Sequence, residues 1–360
     1  MSKPINLLEF ENAARERLPA AVYDYYRGGA MDEVTLRENR AAYSRRALHY
    51  RVLAGVDRVD TTSRVLGIPV SMPVLVAPTA FHKLAHPDGE LASLRAAARA
   101  GTVFTLSSLS NTSLEDAGRV AAEIGTRFWF QLYIYKDRGV TEALVRRAEA
   151  AGAAAIVLTV DAVVWGTREA DTRNNFRLPD GLYVENLTVA GKQAFPPGPG
   201  SGLKAYVTEH FDPAIGWRDL DWLCSVTKLP VIVKGVCRPE DAKRCTEHGA
   251  RAVVVSNHGG RQLDTSPATL DVLASVAAVL DSETELYVDG GIRRGTDVVK
   301  ALALGARAVL LGRPVLWGLA AGGESGVTEV LELLRRELVD VLALCGCRTL
   351  AELDAAVLGS

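Results

Sequence analysis

The chain has 360 residues, 41 Lys and Arg against 43 Asp and Glu, a formal net charge of −2 and 48% hydrophobic residues. That balance excludes a disordered chain and gives no general electrostatic reason to bind nucleic acid or an anionic membrane. No apolar run approaches the roughly 18 residues a transmembrane helix needs, and five cysteines without C-x-x-C spacing read as neither a disulfide framework nor a metal site.

The opening MSKPINLLEFENAARERL carries acidic residues where a secretion signal needs an apolar core. The closing VLGS is not a peroxisomal or ER address, and the scattered cysteines fit a reducing cytosol, so a cytoplasmic location is expected. Residues 1–73 hold amphipathic helical patterns near 6–17 and 31–44. They read as a helical extension packed on the rest of the chain, so that 1–360 is one domain.

Eight short apolar runs come next: VLVAPTA (74–80), AGTVFTLSS (100–108), RFWFQLY (127–133), AGAAAIVLTVD (151–161), PVIVKGV (230–236), HGARAVVVSNHGG (248–260), ELYVDGG (285–291) and LGARAVLLGR (304–313). Each is too short for a helix and reads as a strand buried on both faces of a parallel sheet. Gly101, Gly152, Gly249 and Gly305 read as helix ends ahead of four of them. Helical stretches at 88–100, 113–124, 137–151, 217–227, 238–248, 267–281 and 294–304 separate the runs, and a last helix falls near 325–344. Eight such units in sequence predict an α/β fold, a (β/α)8 TIM barrel over 74–344. A doubly wound sheet is the rival, but no G-x-G-x-x-G follows the first strand. The connection after the fourth strand, 162–216, is far longer than a barrel needs. Its centre, GKQAFPPGPGSG (191–202), is rich in Pro and Gly, and it reads as a lid or a plain surface excursion.

Barrel enzymes keep their chemistry at the C-terminal ends of the strands. Those ends here carry Pro78-Thr79-Ala80, Ser107, Gln131 and Tyr133, Thr159 and Asp161, Lys234, Ser256 through Arg261, Asp289 through Arg293, and Gly312-Arg313. So many charged groups at buried ends favour an enzyme, because unpaired charge is costly to bury. The loops DGGIRRG and LLGRP suit a phosphate, with glycine backbone to approach it and Arg293 and Arg313 to add charge. Ser107, Gln131, Thr159 and Lys234 suit a flat polar ring such as a flavin. His258 is the acid/base candidate, with Asp161 as a plausible partner. Arg168 and Arg261 suit a carboxylate, which a guanidinium fork matches in two places.

The motifs SNHGGRQLD (256–264), DGGIRRGTDVVKALALGA (289–306), FQLYIYKDR (130–138), LTVDAVVWGTREAD (158–171), APTAFHKLAHPDGE (77–90) and VYDYYRGGA (22–30) also resemble, in the family's order, the FMN-dependent α-hydroxy-acid oxidases. The resemblance implies FMN as cofactor and a homotetramer. It implies oxidation of an (S)-2-hydroxy acid to the 2-oxo acid, with O2 reduced to H2O2. It implies His258 as base with Asp161 as its carboxylate, and Arg261, Arg168 and Tyr25 on the substrate carboxylate, with Tyr133 near the substrate hydroxyl. It places Pro78, Thr79, Ala80, Ser107, Gln131, Thr159, Lys234 and Ser256 around the flavin. Asp289, Gly290, Gly291, Ile292, Arg293, Gly312 and Arg313 hold the phosphate.

The chain departs from the plant-type glycolate oxidases at Leu109, where they have Trp, and at Phe81, where they have Met. At 162–165, Ala-Val-Val-Trp replaces a Thr-Pro-Arg-Leu type of sequence. Leu109 suits a methyl-bearing substrate such as L-lactate, while Phe81 and Trp165 suit an aromatic, mandelate-type one. A small aliphatic acid, L-lactate or glycolate, is the leading expectation. The rivals are a dehydrogenase serving a quinone or cytochrome and a Schiff-base aldolase built on Lys234.

Overall fold

Runs that are apolar on both faces need cover on both faces, and closure into a barrel surrounded by helices provides it. The structure is a computed structural model and describes residues 3–190 and 200–359. A hairpin of β1 (Ser63–Val65) and β2 (Ile68–Val70) precedes the barrel. The barrel strands are β3 (Val74–Val76), β4 (Phe104–Ser107), β5 (Phe128–Leu132), β6 (Ile156–Thr159), β7 (Val231–Val236), β8 (Ala252–Val255), β9 (Glu285–Asp289) and β10 (Ala308–Leu311). They pair in parallel in that order, and β10 closes on β3. The expected (β/α)8 barrel is therefore present.

Side chains alternate along a strand, and here the alternation sorts chemistry by height. Leu75, Trp129, Val157, Ile232, Val254, Tyr287 and Leu310 fill the barrel interior as one apolar cluster with β1 and β2. The hairpin plugs the N-terminal end, where the Leu66 N–H donates to Glu285 Oε1 at 3.0 Å. Two residues further along the same inward face stand Ala77, Gln131, Thr159, Lys234 and Asp289. The pairings Ser107–Gln131, Thr159–Lys234 and Leu310–Asp289 bring these ends to a common level. The second apolar cluster lies between the barrel and its helices.

The helices between strands fall where expected, at Gly89–Arg99, Leu114–Glu123, Arg138–Ala150, Trp217–Val226, Pro239–Glu247, Thr269–Ala277 and Gly295–Ala303. Gly101, Gly152, Gly249 and Gly305 take φ of +62°, +79°, +89° and +103°, the left-handed helix ending that their positions require. Ser113 caps its helix, its Oγ accepting the Asp116 N–H at 3.0 Å.

The extension holds three helices rather than two: α1 (Leu7–Arg17), α2 (Ala20–Arg27) and α3 (Val34–Ser44). The last helix begins at Arg313, not near 325, and runs to Leu344 through a break at Gly322 and Gly323. The long connection holds short helices at Glu169–Arg173 and Gly202–His210. Most of its Pro/Gly-rich centre, 191–199, lies outside the described residues. Among those residues no helix is long and apolar enough to cross a membrane.

Candidate active site

The polar strand ends open into a cavity at the C-terminal face of the barrel. Pro78, Thr79, Ala80, Ser107, Gln131, Thr159, Lys234, Asp289, Gly290, Gly291, Ile292, Arg293, Gly312 and Arg313 line one part of it. Tyr25, Leu109, Tyr133, Trp165, Arg168, His258 and Arg261 line the other.

His258 reaches the cavity through strained backbone. It has φ +58°, followed by Gly259 at +64° and Gly260 at +74°. A non-glycine residue there is uncommon, and three left-handed residues in a row turn the ring back over the barrel mouth. Its N–H donates to Ser256 Oγ at 3.1 Å, and Nδ1 lies 2.7 Å from Asp161 Oδ1. Burial pushes Asp161 up, but His258 and Lys234 outweigh it and hold the carboxyl below its ordinary range. An ionised Asp161 can only accept, so Nδ1 carries the proton and Nε2 is left as the basic atom. Burial, with Lys234 and Arg168, pushes His258 below its ordinary value against the opposing pull of Asp161. The ring is thus a neutral base at neutral pH.

Across from it, the buried Arg168 and the half-buried Arg261 form a pair of like charges. Arg168 is 5% exposed and is pushed down to about 9 by burial and by Arg261. Its Nε donates to the Arg261 carbonyl at 3.3 Å and Nη2 to Gln262 Oε1 at 3.3 Å. Its Cζ sits 3.7 Å from the centre of the Trp165 ring, a cation–π contact. Its nearest carboxylate, Asp171, is 3.9 Å away. Arg261 Nη1 donates to the Gly28 carbonyl at 2.7 Å, and its Cζ lies 5.2 Å from the Tyr25 ring. Tyr25 is fixed by stacking on Phe176, centroids 4.1 Å apart. A desolvated cation, a second guanidinium beside it and a phenol, all facing a neutral base, make a receptor for a small carboxylate.

The other half of the cavity can be tested against FMN. Gln131 Oε1 accepts from Ser107 Oγ at 3.1 Å and from the Ser108 N–H at 3.3 Å, which fixes the amide. Its Nε2 has no partner among the described residues, and it suits a ring carbonyl. Lys234 Nζ lies 3.0 Å from Asp289 Oδ2 and 2.9 Å from Ser256 Oγ. Burial pulls the ammonium down, but Asp289 and Asp161 raise it above its ordinary value, so it stays charged. A Schiff-base lysine needs the opposite shift, which argues against the aldolase.

Gly290 and Gly291, at φ +96° and +85°, bare a stretch of backbone. A Cβ on Gly291 would meet the Asn39 carbonyl at 2.0 Å. Beside them Arg293 Nε is buried without a partner, and burial pushes that guanidinium down to about 10. Glycine backbone, a helix starting at Arg313 and two desolvated cations suit the phosphate. These residues fit FMN.

Two placements differ from expectation, while Asp161 stands where the expected partner of His258 should. Phe81 does not line the cavity: it is fully buried behind Tyr25, ring centroids 6.0 Å apart, and cannot touch a substrate. Ser256 is also fully buried and sits behind Lys234, so it supports the cofactor wall without forming it. Asp161 lies behind His258, outside the lining, as an orienting carboxylate. Sequence reasoning missed Tyr26 and Leu203, which also line the cavity. The Tyr26 carbonyl accepts from Arg313 Nε at 2.9 Å, and its hydroxyl donates to the Phe81 carbonyl at 2.6 Å. Its only signal is its place beside Tyr25. Leu203 lies far along the long connection and carries none.

A family model described as FMN-dependent dehydrogenase matches residues 14–360. L-lactate oxidase of Nostoc sp. is 52% identical over 364 aligned residues, with 99% of both chains covered. Glycolate oxidase 3 of Arabidopsis thaliana is 49% identical, covering 97% of this chain and 94% of the relative. The solved structure of mandelate oxidase with (S)-4-hydroxymandelic acid superposes with TM-score 0.93 and 42% identity over 98% of each chain. The cavity that fits FMN and the near full-length matches agree: the chain belongs to the FMN-dependent dehydrogenase family.

Proposed function

We propose that the chain oxidises a small aliphatic (S)-2-hydroxy acid of the L-lactate type to its 2-oxo acid, with O2 as acceptor and H2O2 as product. The observation that carries this is the Arg168–Arg261 pair with Tyr25, facing His258 across one cavity. Bound FMN supplies a two-electron acceptor that O2 can reoxidise. Arg168, Arg261 and Tyr25 hold the substrate carboxylate, which relieves the repulsion between the two guanidiniums. His258 Nε2 accepts the proton that the hydroxy acid loses, and Asp161 stabilises the imidazolium this creates. Tyr133, stacked on Phe211 at 4.4 Å, lies beside the substrate hydroxyl. Lys234 sets a permanent positive charge against the cofactor, where added electrons increase negative charge.

Leu109 leaves room for the methyl of lactate, and the lactate oxidase relative agrees with that choice. A mandelate-type substrate is the second reading, favoured by Trp165 at the cavity wall. The homotetramer and cytoplasmic location that the resemblance and the cysteine pattern suggest belong to the same reading.

Anaerobic bleaching of the flavin by glycolate, L-lactate, longer aliphatic acids and mandelate tests this function. L-lactate is expected to bleach fastest, and air to restore the colour within the turnover time. No bleaching by any of these acids would refute the function, and slow recolouring in air would favour the dehydrogenase. Leu109→Trp is expected to lower kcat/KM for L-lactate about tenfold or more, and to change it for glycolate by no more than about threefold. Equal losses for both acids would exclude Leu109 from the methyl wall.

The sign of the His258 shift sets the pH dependence. A base whose pKa is lowered stays neutral to lower pH, so kcat/KM falls only as pH drops through a value below about 6.5. An acid limb above pH 7 would contradict this.

A further inference from the structure

Below the cofactor half of the cavity lies a fully buried histidine that the chemistry above does not use. His82 is 0% exposed. The preceding residue, Phe81, takes left-handed backbone, φ +62° and ψ +48°. For a bulky residue this is costly, and here it turns the His82 ring inward beneath the end of β3. Its N–H donates to Glu90 Oε1 at 3.1 Å, a buried carboxylate that also accepts from the Asn111 N–H at 3.0 Å and from Thr112 Oγ1 at 2.8 Å. The ring meets Phe104 edge-on, centroids 5.9 Å apart at 83°. Both ring nitrogens end on hydroxyls: Nε2 lies 2.6 Å from Thr79 Oγ1, and Nδ1 2.9 Å from Ser93 Oγ.

Thr79 lines the cavity. A Cβ built on Gly312 would stand 3.6 Å from the Thr79 methyl, so the methyl faces Gly312 and the hydroxyl faces the histidine. Burial pushes His82 below its ordinary value against the pull of Glu90, so the ring is neutral. A neutral imidazole donates at one nitrogen and accepts at the other. Whichever way the proton sits, the ring takes one of the three hydrogen-bonding positions of the Thr79 hydroxyl and fixes where Oγ1 stands.

We propose that His82 is a positioning residue for the cofactor: held between Ser93 and Thr79, it fixes the Thr79 side chain in one rotamer at the wall that faces FMN. The inference rests on FMN occupying this half of the cavity. His82 does no chemistry and touches no substrate. Its effect passes through one hydroxyl.

The test uses deflavinated enzyme titrated with FMN, read by the dissociation constant and the visible absorption band. Asn in place of His82 puts a polar atom near the Nδ1 position and keeps Ser93, but it cannot reach Thr79. Gln reaches Thr79. His82→Gln is therefore expected to bind FMN within about threefold of the parent, and His82→Asn about tenfold more weakly with a shifted band, the loss of about one hydrogen bond. In a Thr79→Val background the two variants are expected to bind FMN equally. Equal binding by Asn and Gln with Thr79 present would overturn the proposal, as would a difference that persists in full with Val at 79. If Thr79→Val alone leaves FMN binding unchanged, the placement of FMN against Thr79 is what fails. All of these variants keep a polar group in the buried site, and FMN binding is measured on those that fold.

Discussion

Replacing His258 by Gln is expected to slow flavin reduction by the best hydroxy acid by about two to four orders of magnitude, with FMN still bound. The size reflects what is lost. Nε2 is the one basic atom in the substrate half of the cavity with a carboxylate arranged behind it to stabilise the charge it gains. The arginine pair is untouched, so substrate still binds. Stopped-flow bleaching should show a slow first step that saturates with a near-normal dissociation constant. Near-parental bleaching would remove His258 from the base role. Asp161→Asn is expected to fall between the two enzymes, because an amide can donate to Nδ1 and leave Nε2 protonated, the wrong tautomer for a base.

Arg261→Leu should produce the opposite kinetic signature. Removing one partner of a buried, hydrogen-bonded charge cluster typically costs about 2–5 kcal/mol, or roughly 30- to 4000-fold in kcat/KM. Most of that should appear as a higher KM, because the carboxylate loses half of its receptor before any proton moves. The like-charge repulsion that holds Arg168 down also disappears, so Arg168 becomes a more ordinary cation. Added small carboxylates should compete much less well against the variant. An unchanged KM with a reduced kcat would show that Arg261 does not bind the carboxylate.

The barrel was legible because its strands must be apolar on both faces, and runs such as Ile156–Thr159 and Ala252–Val255 have no other soluble use. The site was legible where a charged residue ends such a run, as Lys234 and Asp289 do. Phe81 and Ser256 show where this kind of reading stops. Both are one or two residues from cavity-lining positions, but a turn can point a side chain either way. Phe81 is turned back by its left-handed backbone, and Ser256 is taken up by Lys234 and the His258 N–H. The helix α2 was missed because its eight residues, AAVYDYYR, barely exceed two turns, too short a window for a helical period to stand out. The strands β1 and β2 have three residues each, too few to alternate visibly. The first part of the last helix hides behind its break at Gly322 and Gly323.

The carbonyls at the end of α2 have a consequence for when the enzyme becomes active. Gly28 receives both Arg261 and Arg313, and Tyr26 receives Arg313 as well. Residues of the N-terminal extension thus organise arginines that stand 233 and 285 residues further along the chain. Without Arg313 the site keeps Arg293 but loses the second phosphate cation, and without β10 the barrel does not close. The site is therefore complete only once the segment carrying β10 and Arg313 has docked against α2.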